Sequence, residues 1–110
     1  MTNLEDLMVL SPRAQADALA SALTRRGLIA MRLTTADHDR NPCVQLTFSP
    51  ALGKTAHTHI YVALDDDDVW WFWWDTMEPI IPAVYVHAAA EQIVSEINLR
   101  RLQLYPVRAI

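Results

Sequence analysis

Apolar residues recur along this chain with two different periods, and the change of period divides it into elements. Within "SPRAQADALASALTRRG" (11–27), Ala16, Leu19, Ala20 and Leu23 recur every three or four residues, the period of a helix with one buried stripe. The flanks carry matching punctuation. Ser11 suits the N-cap and Pro12 the first helical position, Arg25 and Arg26 occupy the last turn, and Gly27 can take the left-handed conformation that ends a helix. From residue 28 the period falls to two. "LIAMRLT" (28–34) sets Ile29, Met31 and Leu33 against Ala30, Arg32 and Thr34. "CVQLTF" (43–48) sets Val44, Leu46 and Phe48 against Cys43, Gln45 and Thr47. "HTHIYVAL" (57–64) sets Ile60, Val62 and Leu64 against His57, His59, Tyr61 and Ala63. Such alternation marks strands buried on one face. "VWWFWW" (69–74) is a fourth strand, aromatic on both faces.

Beyond Trp74, "DTMEPIIP" reads as a connector punctuated by proline. "HAAAEQIVSEINLRRL" (87–102) then returns to helical spacing, with Ala90, Ile93, Val94 and Ile97 facing inward. The pattern predicts an α+β domain of order α-β-β-β-β-α, an antiparallel four-stranded meander with helices packed on one face. No repeat or linker divides the chain, so residues 1–110 are expected to form one domain. Residues 1–10 would be an N-terminal arm, and 103–110 an apolar tail carrying Leu104, Tyr105, Val107 and Ile110.

The stretch "DDDDVWWFWW" (65–74) holds all four Trp residues of the chain. Its four Asp residues suit a tight turn between the third and fourth strands. An even-length loop would set Leu64 opposite Val69 and pair Val62 with Trp71, Tyr61 with Phe72, Ile60 with Trp73 and His59 with Trp74. Trp71 and Trp73 would then join the core, leaving Trp70, Phe72 and Trp74 on the outer face beside Tyr61 and His59. An odd-length loop exchanges the two sets, because a slip of one residue reverses every side chain. Each large aromatic presents about 150–250 Å², so an outer row of them exceeds the apolar patch a monomer usually exposes. The C-terminal tail, an identical subunit, another protein or a flat apolar ligand would have to cover it.

Composition narrows the function classes. The net charge is −4 and the few basic residues are scattered, an arrangement unsuited to direct nucleic-acid binding. Cys43 is the sole cysteine, which excludes an intrachain disulfide and a multi-thiolate zinc site. No apolar run approaches membrane-spanning length and no signal peptide is evident, so a cytoplasmic location is expected. The chain's two Gly residues, 27 and 53, allow neither a phosphate-binding loop nor a dinucleotide fingerprint. Cys43 lies on an alternating strand with no partner to activate it, and neither Ser11 nor Ser49 sits in a nucleophile-elbow context. The expectation is a protein that is not an enzyme and needs no cofactor.

"DDDDVWWFWWDTMEPI", followed by an Ala-rich helix, resembles small actinobacterial proteins of unknown function that carry an acidic turn and a Trp-Trp-Phe-Trp-Trp strand. The resemblance covers the last third to half of the chain, through Asp65, Trp70, Trp71, Phe72, Trp73, Trp74, Glu78 and Ile80. It implies no catalytic residues, and it suggests an accessory role around another protein such as a transcriptional regulator. The reading favoured at this level is a non-catalytic interaction module, a homodimer through its aromatic outer face. Tyr61, Trp70, Phe72 and Trp74 would be the anchors, with Gln45, Arg32 and His59 as polar orienting groups. The alternative is a small-molecule or metal-binding domain walled by the same aromatics. His57 and His59 point to one side of their strand, and Asp37, His38, Asp39 or His87 could supply a third ligand.

Overall fold

A computed structural model describes residues 11–34, 41–49 and 53–104, with side chains as far as Leu99. The expected N-terminal arm, the Asp37–Asp39 triplet and the tail beyond Leu104 lie outside these residues. The elements run α1 (Pro12–Arg25), β1 (Ile29–Leu33), β2 (Cys43–Phe48), β3 (Ala56–Leu64), β4 (Trp70–Trp74), β5 (Pro79–Pro82) and α2 (Val86–Leu104). The class is α+β, and the sheet is an antiparallel meander in the order β1-β2-β3-β4-β5.

Helix α1 begins and ends as its punctuation predicts. The Ser11 hydroxyl accepts from the Ala14 N–H at 3.1 Å. At the other end Gly27 adopts φ +88°, its N–H donating to the Thr24 carbonyl and the Leu28 N–H to the Leu23 carbonyl. This closes the helix with paired bonds, and buried Leu28 and Leu23 supply the apolar contact that accompanies them. α1 packs across β1, β2 and β3, while α2 packs on α1 and β5. One core lies between helices and sheet. Leu19, Leu23, Ile93 and Ile97 meet Val44, Leu46, Ile60, Val62 and Phe72 there, all essentially without solvent exposure.

A fifth strand stands where the sequence reads as a connector. "PIIP" has proline at both ends, which argues against a central strand. At the sheet margin, where it pairs with β4 alone, the missing N–H groups leave no ladder incomplete. The prolines also blunt that edge against further pairing. A register shift lies between Phe72 and Trp73, so β5 bends as it follows β4.

The β3–β4 register is the odd one. Leu64 faces Trp70, Val62 faces Phe72, Tyr61 faces Trp73 and Ile60 faces Trp74, rather than the even pairing expected first. The cause is the turn. The Asp68 N–H donates to the Asp65 carbonyl at 3.2 Å, Asp68 takes φ +59°, and the Asp65 N–H donates to the Val69 carbonyl at 2.9 Å. That is a three-residue hairpin loop whose last residue is left-handed, a position Asp accepts more readily than most residues. Asp65 reinforces it: Oδ1 accepts from the N–H groups of Asp67 and Val69 at 2.8 and 2.9 Å. The β4–β5 turn repeats the construction. Met77 donates to the Trp74 carbonyl at φ +71°, and the Trp74 N–H reaches the Glu78 carbonyl.

Candidate binding face of the sheet

The helices cover one side of the sheet; the other side presents the remaining alternate residues of each strand. Pairing aligns them in rows across the strands. The first holds Ile29, Thr47 and His57, and the second Met31, Gln45 and His59. The third holds Leu33, Cys43, Tyr61, Trp73 and Pro79, and the fourth Ala63, Trp71 and Pro82. The first two rows are polar at their centre with an exposed aliphatic edge on β1, and the last two are aromatic and apolar. None of these positions carries a charged side chain, although the chain as a whole carries −4.

The odd register decides which aromatics stand here. Phe72 is 0 % exposed and Trp74 is 6 % exposed, both in the core beneath the helices, so neither can anchor a partner as expected. Trp70 points to the helix side, half-buried against the core, where it lines a recess of about 260 Å³ with Gln15, Asp68, Val69, Pro82 and Val84. Trp71 and Trp73 take their place on the open face. Arg32 is also on the helix side. Its Nε pairs with Asp17 of α1 at 3.0 Å, and Nη1 donates to the Leu33 carbonyl at 2.6 Å. Tyr61, His59 and Gln45 do stand on the open face, and the His59 and Tyr61 rings are 6.4 Å apart.

Both outward indoles are tied down. The Trp73 Nε1–H donates to the Ala63 carbonyl at 3.0 Å, which lays the ring back across β3. Trp71 reaches the carboxylate of Asp65. The Asp65 carboxyl is held below its ordinary range, first by the Val69 N–H; partial loss of solvent opposes this, and the Asp67 N–H and Trp71 add to the lowering. With their N–H groups occupied, the two rings offer mainly apolar faces. Beside them Asn41, Tyr61, Ala63, Trp73 and Met77 line a recess of about 200 Å³.

Cys43 lies in the same row as Tyr61 yet is fully buried. Burial pushes its thiol up to about 11, with the Tyr61 hydrogen bond opposing in part. A thiol so protonated at neutral pH is a poor nucleophile. Tyr61 is raised as well, by burial first and then by Cys43, so its hydroxyl keeps its proton and remains a donor.

Of the two histidines, His57 has a local occupation. Gln45 Nε2 donates to His57 Nδ1 at 3.0 Å, and the Thr47 hydroxyl stands 3.0 Å from the same nitrogen. Among the described residues no group of three or more His, Cys, Asp or Glu is placed to hold a metal ion. Nor, among them, is any helix long and apolar enough to cross a membrane. No protein-family model, curated protein or solved structure matches this chain.

The sequence pointed to this face but selected the wrong indoles. The signal that could have corrected it was the fourth consecutive Asp, a residue suited to closing a three-residue loop in the left-handed conformation.

Proposed function

We propose that this protein is a non-catalytic interaction module that pairs with a second copy of itself through the open face of the sheet. The observation that carries the reading is an uncharged aromatic face, Tyr61, Trp71 and Trp73 with Leu33, Pro79 and Pro82, that neither helix covers. Acidic bodies repel one another, and strand positions free of charge, with the carboxylates of Asp65 and Asp75 beside rather than among them, lessen that repulsion where two copies meet. Five strands span about 20–25 Å, and their length gives roughly 500 Å² in outline. Two such faces bury about 1,000 Å², near the lower bound for a specific interface. Tyr61, Trp71 and Trp73 are the anchors, because large rigid aromatics dominate binding energy. Gln45 and His59 supply the polar part of the contact, and the pair serves as an accessory to another protein in the cytoplasm.

A second reading has its own support in the recess of about 200 Å³ beside Trp73, which favours a small apolar ligand over a metal ion. Light scattering over a concentration series separates the two. The first reading expects a dimer that Trp71→Ala or Trp73→Ala converts to a folded monomer. A wild-type chain that stays monomeric at high micromolar concentration would sink it and put the ligand reading ahead.

A further inference from the structure

We infer that the two copies are related by a twofold axis running along β3, so that the aliphatic β1 edge of each face seats on the β5 edge and the β4–β5 turn of the other. This rests on the reading of the open face as a self-interface and assigns its geometry. The face is lopsided. Ile29, Met31 and Leu33 form an aliphatic margin on β1, while Tyr61, Trp71, Trp73, Pro79 and Pro82 fill the side made by β3, β4 and β5. The polar groups Thr47, Gln45, His57 and His59 occupy the first two rows only.

Two twofold axes bring such faces together with their strands roughly aligned. An axis across the strands lays β1 on β1 and reverses the order of rows. Of the aromatic anchors only Tyr61 then meets a residue of the facing strands, His59; Trp73 lies over the β4–β5 turn, where Asp75 stands, and Trp71 lies past it, so neither indole is covered. An axis along β3 keeps each row on itself. Polar rows meet polar rows, β1 lies over β5, β2 over β4, and Tyr61 meets its own copy. Leu33 then approaches Pro79, and Met31 approaches Met77, which the β4–β5 turn places at the rim of the recess. Packed sheets cross within about 30°, which displaces the margins by one or two residues, within reach of two methionine side chains.

The contact is isologous, so each interface holds it twice: Met31 of one copy on Met77 of the other, and the reverse. That repetition supplies the test. Met31→Lys and Met77→Asp both alter exposed side chains, 55 % and 72 % exposed. Asp is tolerated at 77, since Asp68 holds the equivalent position in the preceding turn. Circular dichroism and thermal melts establish that each variant is folded. Each alone should weaken self-association at least about tenfold, since both of its contacts set a charge against an apolar group. Mixed in equal amounts, the two should form a heterodimer by native mass spectrometry. At one of its contacts the substituted positions 31 and 77 bring opposite charges together, and at the other the native methionines meet.

Failure has two distinct forms. A wild-type chain that is monomeric by light scattering overturns the self-interface and the axis together. A wild-type dimer broken by Trp73→Ala, with no heterodimer from the mixture or no weakening by the single variants, overturns the axis alone.

Discussion

Phe72 and Trp73 are neighbours on one strand, and the odd register gives them opposite tasks. Phe72→Ala removes a ring with no solvent exposure, packed against Ile60 and Val62 of the core cluster. A side chain of this size buries about 150–250 Å², and at about 25 cal/mol per Å² its loss approaches 4–6 kcal/mol, close to the ~3–5 kcal/mol usual for Phe→Ala in a core. Against a total of about 5–15 kcal/mol, that removes a large part of the stability. Trp73→Ala takes away a half-buried ring and one hydrogen bond to the Ala63 carbonyl, worth about 1 kcal/mol net. The fold should survive it, with about 1–2 kcal/mol lost from the isolated chain and the larger effect on association. Urea titration at several protein concentrations separates the two, because stability that depends on pairing shifts with concentration. Phe72→Ala should lower the midpoint at every concentration. Trp73→Ala should mainly abolish the concentration dependence. If Trp73→Ala costs as much as Phe72→Ala and self-association is untouched, the assignment of faces is wrong.

Met77 holds φ +71° with an exposed side chain, so Met77→Gly should raise stability by up to about 1 kcal/mol in thermal denaturation; a clear loss would mean that its contacts outweigh the backbone strain. Gln15 is only 4 % exposed and its Oε1 has no hydrogen-bond partner among the described residues, so Gln15→Met should stabilise by about 1 kcal/mol, and destabilisation would show the carboxamide to be in use. Asp65 is more acidic folded than unfolded, so its carboxylate stabilises the fold above the ordinary carboxyl range, and that contribution is lost as pH falls through the depressed folded value. The wild-type advantage over Asp65→Asn should shrink toward pH ~2, and an advantage that grows on acidification would contradict the assignment. Cys43 should resist thiol reagents at pH ~8 in the native protein and react at once in denaturant, because the thiol is both buried and shifted to about 11.

Helix α1 shows how far local chemistry reaches. Its start at Ser11 and Pro12 and its end at Gly27 depend on groups within a few residues, and each bond forms as the residue types require. The faces of β2 and β3 were legible for a related reason: only one alternation puts Val44, Leu46, Ile60 and Val62 together out of water. Local pattern also indicates the wrong occupants at two places. Gln15 reads as a surface residue, yet it is buried where α1 meets the strand ends. Arg32 alternates into the helix-facing set, and only Asp17, fifteen residues earlier, explains how its charge is accommodated there.

Periodicity and punctuation were enough to make this chain an α+β meander in which an aromatic strand follows an acidic turn. Periods of two and 3.6 are properties of the backbone, and apolar side chains must share a face whichever strands they belong to. Which indoles face outward was settled only in three dimensions. "WWFWW" is aromatic at every position, so hydrophobicity cannot choose between its faces, and the choice falls to one residue of loop length. That length follows from Asp68 entering the left-handed conformation while Asp65 binds the N–H groups of Asp67 and Val69. The fifth strand arose in the same way: "PIIP" becomes a strand because β4 offers it an edge, where a missing N–H costs nothing.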